Sequence, residues 1–182
     1  MEDFKSKMRE KITKETIWSV LTKGVGFVFY ILLTVYLART LGTARYGKWN
    51  YFYSIFTIIL ILSSMGVNQS TKKYIAEYSG TGKEKFVFID SIIIRMVTSL
   101  LFCLIVVIFY KSVGDIINRP DIGTLLLYSA PLLLLLNTLS YLKEVFNGNH
   151  DLKYTFLITS SEHLLKFIFV VLLLSIENHI YS

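Results

Sequence analysis

LARTLGTARYGKWNY, residues 37–51, is a short basic stretch set between two long apolar runs. Arg39, Arg45 and Lys48 lie within it, and Gly42 and Gly47 punctuate it as glycines do in turns, where a backbone without Cβ reaches conformations closed to other residues. Upstream, Thr16–Ala38 carries Lys23 as its only charge, and downstream Asn50–Thr71 carries none. A bilayer-spanning helix needs ~20 mostly apolar residues, and both flanks meet that length. The stretch therefore reads as a polar turn between two membrane helices, and that reading decides the fold class.

Working outward, three further runs of the same kind follow, at about residues 86–110, 122–142 and 154–176. The mean hydropathy of +0.54 agrees with so apolar a chain. The runs are far longer than the ~10-residue alternating strands of a membrane barrel. Lipid also leaves no partner for an unpaired backbone group, so the spans are expected to be helical. The fold predicted is an all-α, polytopic membrane helix bundle of about five transmembrane helices, forming one membrane domain over residues 1–182. Residues 1–15 precede the first span as a cytoplasmic amphipathic segment, with Phe4, Met8 and Ile12 on one face at four-residue steps.

Lysine and arginine placement sets orientation. Twelve basic residues fall on the side that holds the N-terminus, in the segment through Lys23, in Lys72–Lys85, and at Lys143 and Lys153. Five fall on the other side: Arg39, Arg45, Lys48, Lys111 and Arg119. The positive-inside rule then puts the N-terminus in the cytoplasm. It also accounts for the formal net charge of +6 without nucleic acid, which is not an expected partner. Lys72–Lys85 reads as a loop with turn chemistry at Gly80 and Gly82. Asn118-Arg119-Pro120-Asp121 reads as a turn whose proline opens a helix. Pro131, inside the fourth span, is expected to kink that helix or to free a carbonyl for a neighbour.

Each span carries a polar stripe at three- and four-residue steps, as in Asn50, Ser54, Thr57, Ser64 and Asn68. Serine and threonine there pack helix on helix as a rule. Charges differ, because an arginine in mid-membrane costs ~2.5–3.5 kcal/mol on insertion scales. Arg95 lies well inside the third span, and Asp90 at i−5 is a poor intrahelical partner. Another helix or a ligand anion must serve it. Glu162 and Lys166, at i and i+4, suit each other. The three histidines and the single Cys103 have no metal-ligand spacing. No nucleophile–base set, phosphate loop or dinucleotide fingerprint is present, so no catalytic residue, metal or cofactor is expected, and the protein is not read as an enzyme.

The stretch YILLTVYLARTLGTARYGKWNYFYSIFTIILILSSMGVNQSTKKYIAEY, residues 30–78, resembles the start of the polysaccharide flippases. These are lipid-linked oligosaccharide translocases of the multidrug/oligosaccharidyl-lipid/polysaccharide exporter superfamily. The resemblance is carried by Arg39, Leu41 and Gly42 in the turn, Tyr46-Gly47 at the next helix, the Met65-Gly66-Val67 break and Tyr74-Ile75-Ala76-Glu77. Phe146-Asn147-Gly148 is a weaker echo.

The resemblance implies a transporter of two helical lobes around a central basic cavity, moving a lipid-linked sugar across the plasma membrane of a prokaryote. By placement, Arg95, Lys23 and Lys166 are its candidate substrate-binding residues, with Glu162 beside Lys166 and Arg39 at the outer mouth. The partners implied are the lipid bilayer and lipid-linked oligosaccharide. Five spans are fewer than such a transporter holds, and alternating access needs two halves. The expectation is a truncated or partial form, or pairing with a second copy or a separately encoded second lobe. Two other readings stand beside this one. A drug/cation antiporter of the same superfamily calls for an acidic residue deep in the first span, where only Lys23 is charged. A non-transporting membrane scaffold calls for a dispensable Arg95.

Overall fold

The computed structural model describes the backbone of residues 2–180 and the side chains of residues 13–168 and 171. Among the described residues the chain is helical throughout, with no strand: α1 Glu2–Ser64, α2 Val67–Tyr78, α3 Glu84–Ile116, α4 Pro120–Gly148 and α5 Leu152–Ile180. Three stretches among the described residues are long and apolar enough to cross a membrane: Thr13–Ser64, Glu84–Ile116 and Pro120–Gly148. The protein is thus a helical membrane bundle. Residues 2–12 are helical, but the amphipathic face expected from Phe4, Met8 and Ile12 lies outside the described side chains.

Residues 37–51 depart from the expected turn. Helix runs up to and away from Gly42, which alone is non-helical, at φ 71 and ψ 172. Gly47 is helical, and Thr40 returns its hydroxyl to the carbonyl of Tyr36 at 2.8 Å. The interruption is confined to one residue, in a region of backbone space that essentially only glycine enters. A Cβ on Gly42 would meet nothing within 4 Å, so the cost of Gly42→Ala is conformational alone. It is expected to lower stability by ~1–3 kcal/mol, read as a lower unfolding midpoint in detergent. An unchanged midpoint would show that the kink is dispensable.

The chain divides into two compact units, Met1–Thr43 with His150–Ser182, and Ala44–Asn149. In the first, the early part of α1 packs along α5 through aromatic rings. Trp18 meets Phe156 at 5.3 Å, and Phe29 stacks on His163 at 6.4 Å and meets Phe167 at 6.2 Å. Gly26 makes room for the imidazole, since a Cβ there would lie 3.3 Å from His163 Nε2. The Glu15 carboxylate accepts the Leu152 amide at 3.1 Å, satisfying one of the free N–H groups at the start of α5.

In the second unit, α1 from Ala44 onward packs on α3 and α4, and α2 packs on the same two helices. Phe52 and Phe56 meet Val106, Ile122, Leu126, Ala130 and Leu133 in one apolar cluster, and Ile75, Tyr141 and Val145 form another. The α3–α4 connection follows from its turn residues. Asn118 takes φ 53, and the Arg119 and Asn118 amides return to the carbonyls of Gly114 and Asp115 at 2.8 and 3.0 Å. This is the paired-bond helix ending that favours glycine or asparagine. Pro120 then opens α4, as its lack of an N–H suits. Lys48 from the quoted stretch pairs with Asp121 at 2.6 Å.

The expected second span, 50–71, is cut short. Met65 (φ 43) and Gly66 (φ 74) end α1, and α2 begins at Val67. The first half of the Lys72–Lys85 stretch expected as loop is helix, up to Tyr78. Thr71 and Ile75 bury one face of α2 while Lys72 and Lys73 stay exposed. This is the pattern of an amphipathic helix, which the high density of polar residues had disguised as a loop.

Candidate functional site

The polar stripes of α3 and α4 face each other. Ser91, Arg95 and Ser99 follow at four-residue steps on α3, and Asn137 and Tyr141 do so on α4. Tyr141 Oη lies 2.9 Å from both Ser91 Oγ and the Phe88 carbonyl. One helical turn along, Arg95 is 2% exposed. Its Nη2 donates to Asn137 Oδ1 at 2.7 Å and its Nη1 to the Ser63 carbonyl at 3.0 Å, with a longer bond from Nε to the Asn137 carbonyl at 3.4 Å. Asn137 Nδ2 in turn donates to Ser63 Oγ at 2.9 Å, and Ser63 Oγ–H reaches the Leu60 carbonyl at 2.8 Å.

This cluster joins three helices at the α1–α2 break. Ser63 is the penultimate residue of α1, so its carbonyl is one of the four that the helix leaves unpaired. That end of the helix carries partial negative charge, and the guanidinium supplies both a donor and a cation to it. The partner Arg95 requires is therefore another pair of helices, α1 and α4. Asn68 Nδ2 extends the seam to Ser140 Oγ at 3.0 Å.

The other candidates lie in the first unit, where Lys23 and Arg39 are exposed. Lys166 and Glu162 are brought together as an ion pair one turn apart on α5. Ser63 was not among the residues singled out from sequence, since its neighbour Ser64 fitted the polar stripe better. Ser64 instead returns its hydroxyl to the Ile61 carbonyl at 2.7 Å. Asn137 was visible as the lone amide of the run LLLLLNTLSYL, but its partners were not.

The stripe on α1 behaves differently from the α3–α4 seam. Asn50 and Ser54 are exposed on the second unit and Thr57 is half-buried. Ser54 and Thr57 donate to the carbonyls of Asn50 and Tyr53 at 2.8 and 2.7 Å. Such local bonds satisfy the hydroxyl protons while leaving oxygen lone pairs available. Tyr51 and Tyr53 are exposed nearby. Among the described residues no group of three metal-ligating side chains occurs.

A family profile described as polysaccharide biosynthesis protein matches residues 12–182. Neither the curated proteins nor the solved structures give a match. With a match over nearly its whole length, the chain belongs to the polysaccharide biosynthesis protein family, as a multi-pass helical membrane protein.

Proposed function

We propose that this protein is a flippase that moves lipid-linked oligosaccharide across the plasma membrane of a prokaryote for surface polysaccharide biosynthesis. The observation that carries the reading is the family match over residues 12–182. The activity is transport, with no covalent step. In this reading the N-terminus is cytoplasmic, and one membrane domain crosses the bilayer with α1 on either side of Gly42 and with α3, α4 and α5. At 1.5 Å per residue the 52 residues of Thr13–Ser64 reach about 78 Å, enough for two crossings of a ~30 Å core.

The exposed polar face of Asn50, Tyr53 and Ser54 supports this reading, since a sugar passing it would find acceptors in place of water. Lys23 and Lys166 are the proposed partners of the carrier's phosphates, each a compact point charge, with Glu162 holding Lys166 until substrate displaces it. Arg39 serves the outer mouth, where its planar fork matches phosphate oxygens. Arg95 serves as a positioning residue, because its guanidinium is already hydrogen-bonded within the bundle. Alternating access needs a second half to move against this one.

Deleting the gene in its host is expected to abolish surface polysaccharide and to leave its lipid-linked precursor on the cytoplasmic leaflet. Re-expression restores export, and a Lys23→Ala/Lys166→Ala double variant restores about a tenth or less. That loss corresponds to one or two charge-assisted contacts of ~1.5–3 kcal/mol each. Unchanged surface polysaccharide with no accumulated precursor overturns the assignment.

A further inference from the structure

A groove of about 280 Å³ opens on the second unit between α2 and α3, lined by nine residues from Met65 to Ile94. Its walls are mostly apolar, from Met65, Val67, Val87 and Ile94, and its one charged lining residue is Asp90. Asp90 lies six residues beyond Glu84, the first residue of α3, hence ~9 Å along the helix. The carboxylate is exposed, and among the described residues it makes no hydrogen bond or ion pair. Two cations stand five residues away on its own helix: Arg95, directed to Ser63 and Asn137, and Lys85, exposed near the start of α3. The carboxylate is thus open to a cationic group that enters the groove.

The remaining polar groups of the groove complete a pattern. Ser70 and Tyr74 line it, and neither side-chain hydroxyl has a partner among the described residues. Lys73 Nζ stands 5.5 Å from the centre of the Tyr74 ring, placing a cation at the rim. The groove thus presents one acceptor-only anion, two free hydroxyl donors, a neighbouring ammonium and an apolar floor. The lining offers a divalent cation a single carboxylate beside the hydroxyls of Ser70, Thr71, Tyr74 and Ser91, too little negative charge for a dedicated cage. An amphiphile whose head carries both an ammonium and a phosphate fits each part.

We propose that the α2–α3 groove binds the head group of an aminophospholipid, its ammonium on Asp90 and its phosphate toward Ser70, Tyr74 and Lys73. The acyl chains follow the apolar walls into the bilayer. The site uses none of the residues assigned above to the oligosaccharide, so it stands or falls separately from the flippase reading. The occupant is a bilayer lipid that seats the amphipathic helix α2 against α3.

The test is lipid retention by the full chain, purified from bilayers of equimolar phosphatidylethanolamine, N-acetyl-phosphatidylethanolamine and phosphatidylcholine and read by native mass spectrometry. The wild type is expected to keep phosphatidylethanolamine about tenfold over either other lipid. Asp90→Asn, which preserves shape, removes the preference, and Ser70→Ala/Tyr74→Phe weakens it. Glu77→Gln, on α2 outside the groove, leaves it intact. Equal retention of all three lipids by the wild type, or an unchanged preference in Asp90→Asn, overturns the proposal. So does stabilisation by sodium that is lost in Asp90→Asn while lipid retention shows no preference, which places an inorganic cation there instead.

Discussion

Replacing Arg95 by alanine is expected to lower stability by about 3–5 kcal/mol and to cut the yield of folded protein in detergent. The estimate comes from what the guanidinium holds. Two bonds are short, to Asn137 Oδ1 at 2.7 Å and to the Ser63 carbonyl at 3.0 Å, and a third is long. Hydrogen bonds to charged donors contribute ~1.5–3 kcal/mol, while polar contacts between membrane helices average ~0.6 and reach ~1.7. Two such bonds therefore contribute ~1–3 kcal/mol, and the cavity left by a long buried side chain adds to that. Ser63 Oγ, already 3.1 Å from Asn137 Oδ1, can turn its proton from the Leu60 carbonyl to that oxygen and soften the loss. Arg95→Met separates shape from charge, since it refills volume without restoring a donor, and should recover only the cavity part. The decisive pairing is the unfolding midpoint with transport. A normal midpoint and lost export in Arg95→Ala would return the residue to the substrate path and remove its structural role.

Gly123→Ala is the second large effect, and its cause is opposite in kind to that of Gly42→Ala. A Cβ on Gly123 would sit 2.4 Å from the Tyr110 carbonyl oxygen and 3.2 Å from Gly114 Cα. Both are backbone atoms, so no side chain can swing aside. The α3 and α4 axes must part beside Ile122, Leu126 and Val106, the apolar cluster that joins them. Overpacking of this kind costs ~1–3 kcal/mol for one methyl, and Gly123→Leu is expected to leave no folded protein. Small residues that let backbones approach are how membrane helices gain van der Waals contact when lipid offers no hydrophobic drive. A Gly123→Ala midpoint matching wild type would mean that the approach is looser than these distances describe.

Much of the fold was legible because its signals are local. Runs of apolar residues as long as the bilayer is thick identify membrane helices from composition alone. The turn at Asn118 and Pro120 follows from an asparagine that accepts positive φ and a proline that needs no N–H. The break at Met65-Gly66 entered only through the family resemblance, and the span was drawn through it to Thr71. The extent of α2 was not legible, because the lysines and Glu77 on its exposed face hide the buried pair Thr71 and Ile75 until a packing partner defines which face is inside. The interruption at residues 37–51 was placed correctly but drawn too wide, since one glycine suffices for it.

Sequence by itself determined that the chain is a bundle of membrane helices, that an interruption falls within residues 37–51, that Pro120 opens a helix, and which family it belongs to through Arg39, Leu41 and Gly42. Each of these depends on neighbours a few residues away or on the length of a run. Tertiary structure alone decided what the polar residues do. Arg95 could have faced a wet cavity or another helix with the same local sequence. Its partners Ser63 and Asn137 stand 32 and 42 residues away, brought to it by the register of α1 and α4 against α3. The same holds for Gly123 and the Tyr110 carbonyl, and for Asp90 left over beside α2. Helical periodicity names a face but not what that face meets, because the partner is set by packing between distant segments.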